Sequence, residues 1–311
     1  MYDTVNLFLD NVTMAVRNPF TLTRYLSNIT ERQNAKTGYS VVGSLGEYTA
    51  AIFPNGISLK GSLAKYYLNS NLLTLSRADV ERAFEKMSDH LHVDVMGAKV
   101  TRVDISTIIP TSRPPADYYS GLGSKPHFTR LIATKDTLYY RTKHKQLAFY
   151  DKAKEMMSNG GTIPAPMVGC NLMRYELRLS GRIKQQLKSA DAITALSLCN
   201  PDLYYKLIQL WKYEFSTIRK LKQISAMADN IKTPKEAADA LFSRLLYSAG
   251  GQCVIDDFMA DLKAQNTFTD PKAYTRLKNI LSKVQQTPSG QQAELIAELE
   301  KAISEVATFA R

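Results

Sequence analysis

Alternation of apolar and polar residues dominates the N-terminal part of the chain and predicts a succession of short β-strands. In the first of them Val5, Leu7 and Leu9 fall on one side of an extended chain, which is typical of a half-buried strand. The Asn-Gly pair after Pro54 predicts a tight hairpin turn, because these residues tolerate positive φ angles. The predicted strands cover residues 4–9, 39–45, 47–53, 57–63, 100–109, 136–150 as a hairpin, and 170–179.

Helical periodicity replaces this alternation in the C-terminal part of the chain. Apolar residues recur every three or four positions in stretches at 202–224, 234–249, 254–264, 271–284 and 290–307. One earlier helix is predicted at 77–90, with Ser76 or Asp79 as its N-cap. The predicted fold class is α+β, with an antiparallel sheet domain at residues 1–185 and an all-helical domain at residues 186–311.

A long loop rich in proline, glycine and serine separates strand 100–109 from the hairpin. Loops of this length inside a compact domain are often functional. Tyr118 and Tyr119 lie between Arg113 and Lys125, an arrangement in which aromatic rings can stack on nucleobases. A surface loop with two packing tyrosines is the simpler interpretation.

The charge balance points to a polyanionic partner. Lysine and arginine number 40 against 29 aspartate and glutamate residues, which gives a net charge of +11 and a pI near 9.4. Cys170, Cys199 and Cys253 lack the spacing of metal ligands and predict a reducing, cytoplasmic environment. No signal peptide, membrane-spanning run or P-loop is recognisable, so neither membrane attachment nor a nucleotide cofactor is expected.

Candidate chemistry begins in the predicted hairpin, where Tyr150 and Lys152 share one face of the second strand. The opposite face carries Leu147 and Phe149. A tyrosine hydroxyl beside cationic groups can attack a phosphate, so Tyr150 is the candidate nucleophile and Lys152 a candidate activating group. The turn before this strand carries Arg141, Lys143, His144 and Lys145.

Two further strands separate polar from apolar residues in the same way. Their polar faces carry Arg102, Asp104 and Ser106 in one strand, and Arg174, Glu176 and Arg178 in the other. If the strands are neighbours, Asp104 and Glu176 can bind Mg²⁺ or Mn²⁺, which prefer carboxylate oxygens and polarise a phosphodiester. A solvated polar face is the alternative for either strand alone. Asp151 faces away from Tyr150 and is predicted to cap the following helix rather than to bind metal.

The segment His90-Leu91-His92 is a rival candidate for the metal site. It matches the His-hydrophobe-His pattern by which many rolling-circle nucleases hold their ion. A strand at this point would place both histidines on one face. The segment instead ends the predicted helix 77–90, where two polar residues around a helix terminus are the simpler interpretation.

Three motifs carry a family resemblance: VTRVDISTI at 100–108, LAFYDKAKEM at 147–156 and NLMRYELRL at 171–179. They resemble the gene II/gene X family of filamentous-phage replication initiators and related plasmid initiators, as does GISLKGSLAKYYL at 56–68. The resemblance covers roughly residues 1–185.

The resemblance implies a Rep-like (HUH-like) nicking domain that cuts and rejoins one DNA strand through a 5′-phosphotyrosine. The family's catalytic tyrosine corresponds to Tyr150, its strand aspartate to Asp104 and its strand glutamate to Glu176. The family also dispenses with a His-hydrophobe-His site. Tyr139 and Tyr140 remain alternative nucleophiles. The implied partners are origin DNA, a host helicase and a host polymerase, in the cytoplasm of a bacterial host.

Basic residues near these motifs and on helix 202–224 are predicted to contact DNA phosphates. They are Lys60, Arg102, Arg141, Lys143, Lys145, Arg174, Arg178, Arg219, Lys220 and Lys222. For the helix, a solvated basic face is an equally good interpretation. A non-catalytic, basic DNA-binding protein is the alternative function, and an RNA-binding protein is disfavoured by the pair of carboxylates.

Overall fold

The computed structural model describes residues 1–34, 38–70, 72–134, 136–220, 233–248, 252–285 and 294–309. Its strands are β1 (Tyr2–Asp10), β2 (Ser27–Asn34), β3 (Gly38–Leu45), β4 (Tyr48–Phe53), β5 (Gly56–Lys60), β6 (Lys99–Thr111), β7 (Thr129–Thr134), β8 (Thr137–Arg141), β9 (Lys145–Asp151) and β10 (Asn171–Ser180). They form one antiparallel sheet in the order β2-β3-β4-β5-β1-β6-β10-β9-β8-β7. The strands that carry the three motifs therefore lie side by side.

The helices are α1 (Asn11–Met14), α2 (Leu63–Leu68), α3 (Arg77–Leu91), α4 (Lys152–Ser158), α5 (Ile183–Gln186), α6 (Ala195–Cys199), α7 (Pro201–Ser216), α8 (Pro234–Ser248), α9 (Gln252–Ala264), α10 (Pro271–Gln285) and α11 (Glu294–Phe309). Short 3₁₀ helices occur at Pro19–Tyr25, Pro115–Gly121 and Ala165–Met167. The predicted α+β class, with an antiparallel sheet followed by helices, is confirmed. Among the helices described, none combines the length and the apolar character that crossing a membrane requires.

Local capping signals define where the two helices nearest the motifs begin. Ser76 caps α3: its hydroxyl accepts a hydrogen bond from the Asp79 backbone, and the Asp79 carboxylate accepts one of 2.9 Å from the Ser76 backbone. Asp151 caps α4 by accepting a bond of 3.0 Å from the Lys154 backbone, which confirms its predicted role. The chain therefore changes from strand to helix immediately after Tyr150.

Helices α7 and α11 pack on the same hydrophobic core as the sheet. Tyr175 of β10 stacks on Phe149 of β9 with ring centroids 4.5 Å apart, and it also contacts Trp211 of α7 at 4.7 Å. The Tyr175 hydroxyl also donates a hydrogen bond of 2.9 Å to the Trp211 carbonyl. Leu299 and Ile303 of α11 belong to the same cluster. These contacts hold β10 rigidly from its apolar face.

A smaller apolar cluster lies among α8, α9 and α10, around Ile255, Met259 and Leu281. Among the described helices of the C-terminal part, α7 and α11 thus share the core of the sheet, whereas α8, α9 and α10 form a separate apolar cluster. The boundary between residues 1–185 and 186–311 stays a prediction.

Strands β2 and β7 and helix α2 were not predicted, and the helix predicted at 202–224 ends at Ser216. Just past the helix, Lys220 donates hydrogen bonds of 2.7 and 2.9 Å to the carbonyls of Phe215 and Ile218. The backbone then pairs with the loop after β6, where the Gly123 amide donates to the Arg219 carbonyl at 2.8 Å. These long-range contacts override local helical periodicity.

The proline-rich loop packs against the protein. Tyr118 and Tyr119 are both buried. Tyr118 donates a hydrogen bond of 2.7 Å to Glu298 of α11, and Tyr119 donates one of 3.0 Å to the Phe149 carbonyl. Of the two interpretations of these tyrosines, packing is therefore correct and base stacking is wrong.

Candidate active site

Strands β6, β10 and β9 bring the predicted polar residues together on one face of the sheet, as hypothesised. Their antiparallel register sets Arg178 opposite Asp104, Glu176 opposite Ser106 and Arg174 opposite Tyr150. Glu176 is therefore a diagonal neighbour of both Asp104 and Tyr150. Diagonal neighbours on adjacent strands lie about 7–8 Å apart, within reach of long side chains.

The Tyr150 side chain lies between the buried network and an open cleft. Its hydroxyl donates a hydrogen bond of 2.5 Å to Glu176 Oε1. The cleft has a volume of about 380 Å³ and is lined by Asp136, Thr137, Tyr139, Tyr150, Asp151, Lys154, Glu155, Ser158 and Arg178. Burial, and then the charge of Glu176, raise the Tyr150 pKa above its ordinary value, so the resting hydroxyl is protonated. A proton acceptor and space for a substrate therefore meet at this side chain.

Glu176 is held between two guanidinium groups. Arg178 Nε donates to Oε2 at 2.7 Å, and Arg174 Nε lies 2.9 Å from Oε1 as an ion pair without the alignment of a hydrogen bond. Burial alone would raise the pKa of this carboxyl, but Arg178 and Arg174 outweigh it and lower the pKa. Glu176 is therefore ionised at neutral pH.

At Asp104 the effect of burial on the pKa outweighs that of the neighbouring arginine, the reverse of the situation at Glu176. Asp104 is 1% exposed, and Arg102 forms a fork on it with Nε 2.8 Å from Oδ1 and Nη2 2.5 Å from Oδ2. Burial raises its pKa to about 6, because the partly exposed Arg102 offsets the cost of desolvation only in part. The negative charge of Asp104 is thus undercompensated by the protein.

The two carboxylates fit a divalent ion in their chemistry. Mg²⁺ commonly takes one or two carboxylates and completes its shell with water and substrate phosphate. Asp104 and Glu176 are both buried beside the cleft and are absent from its lining. Among the residues the structure describes, no group of three or more histidine, cysteine or acidic side chains could hold a metal ion. Because Arg102 compensates the negative charge of Asp104 only in part, a further cation would be favourable there. A bound ion would share both carboxylates with the arginines that now contact them.

Lys152 is buried where the charges of Arg174, Glu155 and Asp3 act on it, and its predicted activating role stays a prediction. It is 1% exposed, pairs with Glu155 at 2.6 Å, and is absent from the lining of the Tyr150 cleft. Lys154 lines that cleft instead and pairs with Asp136 at 2.6 Å. Strand alternation suggested Lys152, but the chain becomes helical after Asp151, and the helical turn carries Lys154 to the side of Tyr150. The Asp151 cap was the signal that could have identified Lys154.

The two alternative tyrosines have different surroundings. Tyr140 is buried, and its hydroxyl donates to the carbonyls of Leu122 and Gly123 at 3.0 and 2.7 Å, so it has no access to a substrate. Tyr139 lines the same cleft as Tyr150, with the Arg141 guanidinium 4.2 Å from its ring centroid. Tyr139 therefore stays the alternative nucleophile.

The side chains predicted to contact DNA differ in exposure. Lys60, Arg141, Lys143 and Arg219 are exposed, whereas Arg102, Lys145, Arg178 and Lys220 are half-buried. Arg174 is buried among Ser106, Asp3 and Glu176 and offers no surface to DNA. Lys145 also pairs with Glu214 at 2.5 Å. Lys222 lies outside the described residues.

The exposed pair in the turn between β8 and β9 provides a test of DNA binding. We expect Arg141→Gln with Lys143→Gln to weaken binding of single-stranded DNA and to flatten its salt dependence. Each lost phosphate contact lowers the log–log slope by about 0.7 for a single strand. The measurement is a salt titration of affinity. A matched double variant, Arg82→Gln with Lys301→Gln, removes two exposed charges from α3 and α11; equal slopes for both double variants would contradict the prediction.

The structure places His90 and His92 at the end of α3 and not on a strand. His90 lies in the last turn of α3, where its Nδ1 is 2.9 Å from the Tyr66 hydroxyl. His92 caps the helix at φ 52°, and its ring packs against Tyr25 with centroids 4.5 Å apart. Because the segment is a helix end rather than a strand, the two rings have separate partners.

A double change of these histidines is expected to leave metal affinity and nicking unchanged. We specify His90→Ala and His92→Asn, because asparagine tolerates the left-handed backbone at residue 92. Loss of the bond to Tyr66 should cost about 1 kcal/mol of stability. Calorimetric titration with Mn²⁺ checks the result, and weaker metal binding in a folded double variant would restore the histidine site.

Comparison with known proteins agrees with these features. Residues 11–201 match a family model that describes the N-terminal part of a replication-associated protein, the phage gene II protein, and this region contains Asp104, Tyr150 and Glu176. The comparison with curated proteins gave no match. Among solved structures, a rolling circle replication initiator protein from Geobacillus stearothermophilus is similar with a TM-score of 0.42 and 12% identity, over 74% of this chain and 89% of that chain. Because the family match covers more than half of the sequence, the chain belongs to the gene II protein family of replication-associated proteins.

Proposed function

We propose that this protein initiates rolling-circle replication of phage or plasmid DNA, by nicking and rejoining one strand through Tyr150. The observation that carries the proposal is the Tyr150 side chain, which lines an open cleft while its hydroxyl donates a hydrogen bond of 2.5 Å to Glu176. Membership of a replication-associated family and a net charge of +11 support DNA as the substrate.

In the proposed reaction Tyr150 Oη attacks the scissile phosphorus, and the bond from phosphorus to the 3′ oxygen breaks. The hydroxyl proton leaves along the hydrogen bond to Glu176, and the released 3′ oxygen takes up a proton from solvent. The products are a 5′-phosphotyrosyl enzyme and a free 3′-OH. Because the phosphotyrosine conserves the energy of the phosphodiester, attack by a 3′-OH in the reverse direction rejoins the strand.

Cationic side chains in the cleft support the phosphate during this exchange. Arg178 and Lys154 both line the cleft beside Tyr150. Charged donors fixed in place before the reaction stabilise the charge that develops on the phosphate oxygens. Asp104 and Glu176 would hold Mg²⁺ or Mn²⁺, which when bound withdraws charge from the phosphate.

The proposal extends to the partners of the reaction. Origin DNA presents the scissile strand as a single strand or hairpin. The free 3′-OH is a primer end for a host polymerase, and a host helicase displaces the cut strand. These steps take place in the cytoplasm of the bacterial host.

A covalent adduct assay tests the proposed function. The protein is incubated with Mg²⁺ or Mn²⁺ and with single-stranded oligonucleotides that tile the replicon encoding it. The expected result is one cleaved oligonucleotide, a protein–DNA adduct stable to denaturation, and a modified peptide that contains Tyr150. Tight binding without cleavage or adduct would favour the alternative of a non-catalytic DNA-binding protein.

A further inference from the structure

Asp3 lies close to the active site although it belongs to none of the three family motifs. The register between β1 and β6 shifts between Tyr2, which pairs with Ile105, and Val5, which pairs with Val103. Two residues of β1 therefore lie opposite one residue of β6, which is a β-bulge. Bulges redirect side chains, and this one lies where Asp3 meets the polar face of the sheet.

The Asp3 carboxylate holds one side of the Arg174 guanidinium. Arg174 Nη2 lies 2.7 Å from Asp3 Oδ2 and donates a hydrogen bond of 2.8 Å to Ser106 Oγ. The other Asp3 oxygen accepts a hydrogen bond of 2.7 Å from Ser62 at the start of α2. Asp3 and Arg174 are both buried, so neither exchanges these partners freely with solvent.

A neighbouring nitrogen of the same guanidinium contacts the partner of the proposed nucleophile. Arg174 Nε is 2.9 Å from Glu176 Oε1, and that oxygen accepts the 2.5 Å hydrogen bond from Tyr150. A continuous chain of contacts thus runs from Asp3 through Arg174 and Glu176 to the Tyr150 hydroxyl. Each link in the chain is a direct contact between charged or hydroxyl groups.

We propose that Asp3 is a positioning residue, which through Arg174 fixes the Glu176 oxygen that orients the Tyr150 hydroxyl. The proposal rests on Tyr150 being the nucleophile. A planar guanidinium held by a carboxylate at one nitrogen has its other nitrogens fixed in direction, because the group is rigid. Without Asp3, Arg174 can rotate, and Glu176 loses the position from which it orients the Tyr150 hydroxyl.

The test is the rate of adduct formation at saturating single-stranded DNA, measured in a single turnover. We expect Asp3→Asn to slow this step by about 10- to 100-fold, the effect of a small misplacement of a reacting group. DNA affinity should stay unchanged, because Asp3 is buried and away from the cleft lining. Ser106→Ala, a smaller truncation that removes the other partner of Arg174 Nη2, should slow the same step to a lesser degree. It keeps the proposal testable if Asp3→Asn does not fold.

A control on the same strand separates positioning from general loss of stability. Asp10, at the far end of β1, caps α1 through a bond of 2.8 Å from the Thr13 backbone. Asp10→Ala should lower the melting temperature but keep the wild-type rate of adduct formation. A double-mutant cycle then tests whether Asp3 acts through Arg174. In an Arg174→Met background, Asp3→Asn should not slow adduct formation any further.

The outcomes distinguish this proposal from the proposed function. A wild-type adduct on Tyr150, together with wild-type rates in folded Asp3→Asn and Ser106→Ala, overturns the positioning role alone. Additive effects of Asp3→Asn and Arg174→Met also overturn it, because Asp3 would then act by another route. Absence of any Tyr150 adduct in the wild type overturns both proposals.

Discussion

Tyr150→Phe is expected to form no covalent adduct and to cleave no DNA, while its affinity for single-stranded DNA stays close to that of the wild type. The substitution removes the one atom of this side chain that can attack phosphorus. Loss of a catalytic nucleophile can cost on the order of 10⁶-fold in rate. The ring keeps its place at the end of β9, so the cleft keeps its shape.

The stability of this variant should fall modestly. A hydrogen bond to a charged group contributes about 1.5–3 kcal/mol, and Glu176 keeps both of its arginine partners when the hydroxyl is lost. Adduct formation on denaturing gels and urea denaturation give the two readouts. Tyr139→Phe is the matched control, because Tyr139 lines the same cleft. An adduct that persists in Tyr150→Phe and disappears in Tyr139→Phe would move the nucleophile to Tyr139.

Asp104→Asn and Glu176→Gln form the second test, because they should both abolish metal-dependent nicking yet change stability in opposite directions. Each substitution keeps the size of the side chain and removes one proposed ligand charge. The two carboxyls differ in their partners: two arginines outweigh burial at Glu176, whereas burial prevails at Asp104. The direction of each pKa shift therefore predicts the direction of each stability change.

Glu176→Gln should destabilise the fold strongly. The pKa of Glu176 is lowered in the folded state, so its contribution is present at neutral pH and is lost as the pH falls through the folded-state pKa. The variant leaves the buried Arg174 and the half-buried Arg178 without their shared counter-ion. Breaking a buried ion pair from one side costs about 3–5 kcal/mol.

Asp104→Asn should leave the stability at pH 7 unchanged or raise it, by up to about 3 kcal/mol. The Asp104 pKa is raised from 3.8 to about 6, so the folded state binds this proton more tightly than the unfolded state. The folding stability of the wild type therefore falls as the pH rises from about 4 to about 6. Asp104→Asn should lack this pH-dependent loss of stability. Metal binding to the wild type should weaken as the pH falls below about 6, because protons then compete with the ion for Asp104.

Urea denaturation between pH 4 and pH 8 measures these effects, and Mn²⁺ titration measures the proposed metal site. Both variants should bind Mn²⁺ more weakly than the wild type. If Asp104→Asn destabilises the fold as much as Glu176→Gln does, Asp104 serves a structural ion pair with Arg102. Normal nicking by both variants at low metal concentration would remove the carboxylate pair from the proposed mechanism.

Local patterns in the sequence predicted most of the sheet, the fold class and the shared face of Asp104, Glu176 and Tyr150. They missed Lys154 as a lining residue of the cleft, because the change from strand to helix at Asp151 brings Lys154 to the cleft and leaves Lys152 buried. They also predicted that α7 continues beyond Ser216. The backbone after this residue instead pairs with residues distant in the chain.

The sequence by itself determined which side chains share a face, since the periods of strands and helices are local properties of the backbone. It also determined the family, through short motifs around Asp104, Tyr150 and Glu176. Only the tertiary structure decided which faces meet and which charges are buried. The bulge that brings Asp3 to Arg174 and the burial that sets opposite pKa shifts at Asp104 and Glu176 depend on contacts between strands far apart in the chain. Such contacts leave no periodic signal, because pairing and desolvation are properties of the folded arrangement.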